Sequence, residues 1–269
     1  MAEEHKENYD GGDIDIANRK RGHRAEEVAQ WYFRLNGFMS IPGFVVHPDA
    51  PRPVPRTEAD LLAVRLKYSR EGVWRRDHSD QFRDANKPTD MEDDPILLNA
   101  GRVGSVTRHL VAMVEVKATA CRINGPWSDQ AKYGRQGAAS NMERALARVG
   151  FGNHTEVSTA AATMYSDLRY EGKEFIVQYI AIGLQKSDEL TARYPKLVQV
   201  TFDEIGSFLW RRFCAFPEKL PQQNDITLWD GFGDQFRWWF EGGSSNNRKS
   251  TGEHGCQKFV FRYIFNNGN

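Results

Sequence analysis

Residues 109–117 read His-Leu-Val-Ala-Met-Val-Glu-Val-Lys, an apolar run that closes on a carboxylate and an ammonium group. Side chains alternate between the two faces of a β-strand, so Glu115 and Lys117 point to one face and the valines beside them to the other. Burying either charge alone would be costly. Beside a divalent cation both have a use, because the carboxylate can bind the metal and the lysine can orient or activate water. The stretch therefore predicts a strand that carries part of a metal site.

A second carboxylate is needed, because hard cations such as magnesium take several oxygen ligands. Asp60 supplies it, since it directly precedes the apolar run Leu61-Leu62-Ala63-Val64 of a neighbouring predicted strand. Glu58 lies two residues earlier and would share the face of Asp60. Either of these two residues could be the ligand and the other its support.

The remaining elements place these strands in a sheet. Helices are predicted at Gly22–Asn36, Asn141–Val149 and Asp203–Phe213, and strands at Phe38–Val46, Glu58–Arg65, His109–Ala118, Glu174–Leu184 and Leu197–Phe202. The order is helix, three strands, helix, two strands, helix. This order indicates an α/β protein with a mixed central sheet flanked by helices.

Three stretches lie outside that pattern. Polar residues 1–20 predict a flexible arm ahead of a main domain at 21–216. Residues 66–108 are mostly polar and charged, so they predict an insertion in that domain, outside the sheet core. Residues 217–269 are rich in aromatic side chains and predict a C-terminal extension.

The extension has three predicted parts: a helix at Thr227–Phe240, a flexible segment at Gly242–Gly255 and an edge strand at Phe259–Phe265. In its helix, four aromatic residues recur at helical spacing: Trp229, Phe232, Phe236 and Trp239. Such a stripe can stack on nucleic-acid bases. A buried core stripe or a partner-binding face is the favoured interpretation.

Composition and charge restrict the class of function. The three cysteines lie far apart with no CxxC pair, which argues against a disulfide framework or a zinc ribbon and indicates a reducing cytoplasm. The longest apolar stretches are far too short to cross a bilayer, so no membrane partner is expected. The 36 basic residues are balanced by 36 acidic residues. Any basic surface for nucleic acid must therefore be local.

Asp60 followed by Glu115-Val116-Lys117 resembles the signature of the PD-(D/E)xK superfamily of restriction-endonuclease-like nucleases. The first predicted helix adds to the resemblance. Its motif, Gly22-His23-Arg24-Ala25-Glu26 followed by Ala29, Tyr32 and Gly37-Phe38, is similar to that of Holliday-junction-resolvase-like and RecB-like branches. The chain departs from compact members in the long insertion, where they join the two strands by a tight turn.

The resemblance implies a restriction-endonuclease-like fold and a Mg²⁺- or Mn²⁺-dependent nuclease that hydrolyses phosphodiester bonds, with DNA the favoured nucleic acid. It implies the catalytic residues Asp60, Glu115, Lys117 and Glu26, and the metal ligands Asp60, Glu115 and Glu26. By family analogy a protein partner or a homo-oligomer is also expected, as in a defence effector held in check by a partner. The alternative is a non-catalytic subunit that kept the fold and binds nucleic acid or protein.

The insertion bears on the nucleic-acid prediction through its charges. A basic run is followed by an acidic one: Arg65, Lys67, Arg70, Arg75 and Arg76, then Asp77, Asp80, Asp84, Asp90, Glu92, Asp93 and Asp94. If the insertion contacts nucleic acid, its basic half should lie closer to the site than its acidic half. The acidic run lacks the glycine and spacing of a calcium loop, so a solvated loop is expected.

Overall fold

Helices and strands alternate along the chain in the computed structural model, which describes residues 10–46, 57–67, 69, 93–128, 141–147, 150, 152–215, 231–241 and 248–265. The helices are α1 (Asp10–Leu35), α2 (Pro95–Ala100), α3 (Gly125–Ser128), α4 (141–147), α5 (His154–Asp167), α6 (Asp188–Arg193), α7 (Phe202–Ala215), α8 (Phe232–Glu241) and α9 (Arg248–Phe265). The strands are β1 (Met39–Val46), β2 (Thr57–Arg65), β3 (Arg102–Val103), β4 (Val106–Thr107), β5 (His109–Val116), β6 (Arg169–Glu171), β7 (Phe175–Gly183) and β8 (Val198–Thr201). Among these helices none is both long and apolar enough to cross a bilayer.

One mixed sheet runs in the order β1, β2, β5, β7, with β6 and β8 both paired to β7. β1 and β2, β2 and β5, and β6 and β7 are antiparallel, whereas β5 and β7, and β7 and β8, are parallel. The carboxyl ends of β5, β7 and β8 therefore meet at one end of the sheet, which we call its carboxyl end; the other is its amino end. The structure confirms the predicted α/β class, with a mixed central sheet flanked by helices.

Two hydrophobic cores cover the two faces of the sheet. Along β5, Leu110, Ala112 and Val114 belong to the first core, whereas Val111 and Met113 belong to the second. Helices α1, α7, α8 and α9 contribute to the first core, and α4 and α5 to the second. Burial on both faces explains why β5 is a continuous apolar run instead of an alternating one.

Helix α1 begins at Asp10, so residues 10–20, predicted as part of a flexible arm, are helical. The described side chains of that stretch are mostly exposed, which is why their polarity suggested an arm. Further along, Val28 and Tyr32 are fully buried in the first core, as their helical spacing predicts.

The prediction that the insertion lies outside the sheet core is wrong for its described C-terminal part. Leu97 and Ala100 of α2 are buried in the first core. The two described residues of its acidic run, Asp93 and Asp94, do not belong to a solvated loop either. Asp94 is 2% exposed and caps α2, because its Oδ1 accepts a hydrogen bond from the backbone N of Ile96 at 2.9 Å.

The basic half of the insertion does not approach the carboxyl end of the sheet in its described part. Arg65 pairs with Leu110, at the amino end, and its guanidinium forms an ion pair with Asp93. Lys67 Nζ lies 3.7 Å from a carboxylate oxygen of Glu174. Because Arg65 and Asp93 are in contact, the described residues do not place the basic half closer to the site than the acidic half. Arg70, Arg75 and Arg76 lie outside the described residues.

The aromatic stripe of the C-terminal extension is a core stripe. Phe232, Phe236 and Phe240 of α8 are buried in the first core, and Trp239 packs against it. Trp229 lies outside the described residues. The extension thus contributes to the same core as the sheet.

The predicted edge strand at Phe259–Phe265 is wrong, because these residues form the last turns of α9. Their burial follows a helical period: Cys256, Val260 and Ile264 are fully buried. The helix begins at Arg248 and has a non-helical residue at Gly252, so the second half of the predicted flexible segment is also helical.

Replacing Gly206 tests the contact between α7 and α9. A Cβ added there would lie 2.8 Å from the Cα of Gln257. We expect Gly206→Ala to lower the free energy of unfolding by about 1–3 kcal/mol, because backbone must move to accept the methyl group. Urea denaturation measures the change.

The matched control is Gly22→Ala in α1, where an added Cβ meets nothing within 4 Å. This substitution should raise the free energy of unfolding by roughly 0.5–1 kcal/mol, since alanine restricts the unfolded chain. Equal stabilisation by both substitutions would show that α9 does not pack on α7.

Candidate active site

The pairing of β2 with β5 brings Asp60 beside Glu115. Leu61 pairs with Val114, so the residues on either side of that pair are neighbours at the carboxyl end of the sheet. The backbone N of Val116 donates a hydrogen bond to Asp60 Oδ2 at 2.7 Å. The Asp60 carboxylate is therefore held in place by the strand that carries the other two candidate residues.

Lys117 joins the two carboxylates. Its Nζ donates to Asp60 Oδ2 at 3.3 Å and forms an ion pair with Glu115 Oε1. The exposed fraction of the side chain is 38% for Lys117, 14% for Asp60 and 1% for Glu115. The ammonium thus lies at the mouth of the site, and the Glu115 carboxylate lies at its base.

Tyr179 on β7 completes the base of the site. Its hydroxyl donates to Glu115 Oε2 at 3.3 Å and accepts from the backbone N of Asn124 at 3.4 Å. Sequence reasoning missed this residue, although Tyr179 is a polar side chain inside a predicted apolar strand. Only the parallel register, which pairs it with Met113, places it next to the site.

Burial and charge act together on the two central groups. Burial, and then the Asp60 carboxylate, raise the pKa of Glu115 from its usual value to about 7. Burial lowers the pKa of Lys117, but Glu115 and Asp60 outweigh that effect and raise it above its ordinary value. Near neutral pH the lysine is therefore charged, while Glu115 is close to its midpoint.

The loop after β5 packs closely on the end of β7. The backbone N of Lys117 donates to the carbonyl of Ile182 at 2.9 Å, and that of Leu184 donates to Thr119 at 2.7 Å. A Cβ added at Gly183 would lie 2.5 Å from the backbone N of Cys121. Glycine at this position lets the loop approach, and this contact fixes the strand end that carries Lys117.

Glu26 remains a prediction as a site residue. It lies on α1, half-buried, and α1 contributes to the first core. Glu115, by strand alternation, shares the other face of the sheet with Met113. Among the described residues no group of three or more His, Cys, Asp or Glu side chains is arranged to hold a metal ion. The Glu58 side chain lies outside the described part.

The donor set nevertheless fits a hard divalent cation at two carboxylates. Asp60 and Glu115 both turn an oxygen toward the position of the Lys117 ammonium, so their charges converge on a cation. Carboxylate oxygens are the ligands that Mg²⁺ prefers. Water would complete its coordination, because Mg²⁺ usually keeps several water ligands.

Comparisons with protein-family models, with curated proteins and with solved structures found no match for this chain. Three features of the site itself therefore carry the functional inference: the convergence of Asp60 and Glu115, the burial of Glu115, and the position of Lys117 between them. They define a buried anionic centre with one ammonium group at its mouth.

The raised pKa of Glu115 predicts a pH dependence of stability. The folded value of about 7 lies above the usual value of 4.5, so protonation favours the folded state. The stability that protonation of Glu115 contributes is fully present below about pH 4.5 and is lost as the pH rises through about 7. Between these limits the Glu115 contribution falls by about 3 kcal/mol.

Glu115→Gln removes this titration. Its free energy of unfolding, relative to the parent protein, should rise between pH 4 and pH 8, as measured by urea denaturation at several pH values. The control is Glu189→Gln on the exposed surface of α6. Parallel pH profiles for Glu115→Gln and the parent protein would contradict the assignment.

Proposed function

We propose that this protein is a metal-dependent nuclease of the PD-(D/E)xK class, with a restriction-endonuclease-like fold, that hydrolyses phosphodiester bonds of nucleic acid, with DNA as the favoured substrate. The observation that carries the proposal is the Lys117 ammonium, which contacts carboxylate oxygens of both Asp60 and Glu115 at the carboxyl end of the sheet. It supports the resemblance of these residues to the superfamily motif.

Each residue has a chemical role in this proposal. Asp60 and Glu115 would bind Mg²⁺ or Mn²⁺, and Glu26 is retained as a third, supporting carboxylate. The bound metal would supply Lewis-acid stabilisation and a more acidic water. Lys117 would orient the attacking water and offset the negative charge that develops on the phosphoryl oxygens. Tyr179 would hold Glu115 Oε2 so that Oε1 faces the metal.

The geometry gives a reason for the position of Lys117. Of the three side chains it is the most exposed, so it can reach a bound phosphate while the carboxylates stay below it. Its raised pKa keeps it protonated near neutral pH. A charged lysine at the mouth would stabilise an anionic transition state.

The proposal includes the cellular compartment of the protein and its partners. Cys121, Cys214 and Cys256 are free thiols, which fits the expected reducing cytoplasm. A protein partner or a second copy that extends the binding surface, as in a defence effector, is consistent with the zero net charge.

The second candidate is a binding subunit without catalysis. It is favoured by the Lys117 contacts themselves, because an ammonium between two carboxylates also describes a structural ion-pair network. The two candidates differ in one property: a nuclease site exchanges lysine contacts for a metal, whereas a structural network does not bind one.

The nuclease proposal predicts cleavage of single- or double-stranded DNA or RNA in Mg²⁺ or Mn²⁺, and none in EDTA. Lys117→Ala should lower the single-turnover rate on the order of 100- to 1,000-fold, because the lysine acts on the transition state. Nucleic-acid binding by this variant should stay largely unchanged. Gel analysis of labelled oligonucleotides and fluorescence anisotropy measure the two quantities.

The matched control is Lys173→Ala, an exposed lysine just before β7 at the amino end of the sheet. It should cleave like the parent protein. Glu115→Gln and Asp60→Asn should lose both cleavage and Mn²⁺ binding in calorimetry. Undiminished cleavage by Lys117→Ala would overturn the nuclease proposal. A parent protein that does not bind Mn²⁺ would favour the binding subunit.

A further inference from the structure

Helix α9 has a second, charged face opposite its buried one. Its exposed residues His254, Lys258 and Arg262 recur every four residues, so they form one stripe along the helix. Phe261 lies between them with 47% of its surface exposed, and its ring stacks on Phe265 at 4.6 Å between centroids. We call His254, Lys258, Phe261 and Arg262 the α9 stripe.

The stripe lines a pocket of about 390 Å³ between α9 and the first turn of α7. The lining residues are Asp203, His254, Gln257, Lys258, Phe261 and Arg262. Among the described residues, neither Lys258 nor Arg262 has an ion-pair partner. Basic side chains thus outnumber the single carboxylate of the lining, Asp203, and two exposed cations with no described ion-pair partner are available to an anionic ligand.

The contact between α9 and α7 relates the stripe to the site. Gln257 Nε2 donates to Ser207 Oγ at 2.9 Å, and Asp203 in the first turn of α7 lines the pocket with the stripe. The start of α7 directly follows β8, so the stripe lies beside the carboxyl end of the sheet, where Lys117 lies.

Contacts with α1 support this placement. The Tyr263 carbonyl accepts a hydrogen bond from Arg24 at 3.4 Å, and the hydroxyl of Tyr263 donates to Glu27 at 2.5 Å. These contacts fix the last turns of α9 against the C-terminal half of α1. The stripe lies in the layer of the first core, and the Glu115 carboxylate lies on the other face of the sheet. A nucleic-acid strand that crosses the carboxyl end can contact both.

We propose that the α9 stripe binds the phosphate backbone of the nucleic acid that the site at Asp60, Glu115 and Lys117 acts on. This inference rests on the proposed function. The chain has zero net charge, so phosphate binding requires a local basic surface. Lys258 and Arg262 supply charge without base specificity, and His254 can donate a hydrogen bond to a phosphate oxygen.

The test is fluorescence anisotropy with a labelled DNA oligonucleotide in EDTA, across a salt series. The variant Lys258→Gln/Arg262→Gln should weaken binding about tenfold and lower the slope of log affinity against log salt by about 2. The matched control is Arg102→Gln/Lys173→Gln, which removes the same charge from exposed side chains at the amino end. It should bind like the parent protein.

All four side chains are exposed, so thermal unfolding should be unchanged in both double variants. Binding by Lys258→Gln/Arg262→Gln equal to that of the parent protein, or an equal loss in the control, overturns the inference. So does a parent protein that binds no oligonucleotide. Cleavage in Mg²⁺ is measured separately. If cleavage depends on Lys117 but binding does not depend on Lys258 and Arg262, the nuclease proposal stands and only the proposal for the α9 stripe fails.

Discussion

A carboxyl group that is 1% exposed can be ionised only with a cation beside it, and at Glu115 that cation is the Lys117 ammonium. The two residues lie on one side of β5 because their spacing matches the strand period. The antiparallel β2 adds Asp60, and the parallel β7 adds the Tyr179 hydroxyl. Three neighbouring strands therefore converge on one charged point at the carboxyl end of the sheet, and their registers must all be correct for that point to exist.

Much of this centre could be predicted from the sequence because its key residues belong to strong local patterns. The apolar run of β5 closing on Glu115 and Lys117 identifies a strand and a face, and the run after Asp60 identifies its neighbour. The registers between strands could not be predicted in this way, since they depend on contacts between segments far apart in sequence. Tyr179 could not be assigned for that reason, and Glu26 stays a prediction because α1 contributes to the core on the other face.

The predictions that failed outside the site did so for physical reasons. The apolar residues at 259–265 suggested a strand. In the structure Val260 and Ile264 are buried and Arg262 is exposed, which is the burial pattern of a helix. Helix α5 was missed although Asn153 and Glu156 form a capping box at its start. The acidic end of the insertion suggested a solvated loop, but Asp94 is used to cap α2. Polar residues that serve as caps are indistinguishable from loop residues by composition alone.

The most direct test of the central claim is a crystal structure of the protein grown with Mn²⁺, with diffraction data collected at the manganese absorption edge. We expect one strong anomalous peak bound by oxygens of both Asp60 and Glu115, with the Lys117 ammonium displaced from between them. At saturating Mn²⁺, a map without a peak at these carboxylates, and with Lys117 still bridging them, would contradict it and identify the cluster as a structural ion pair.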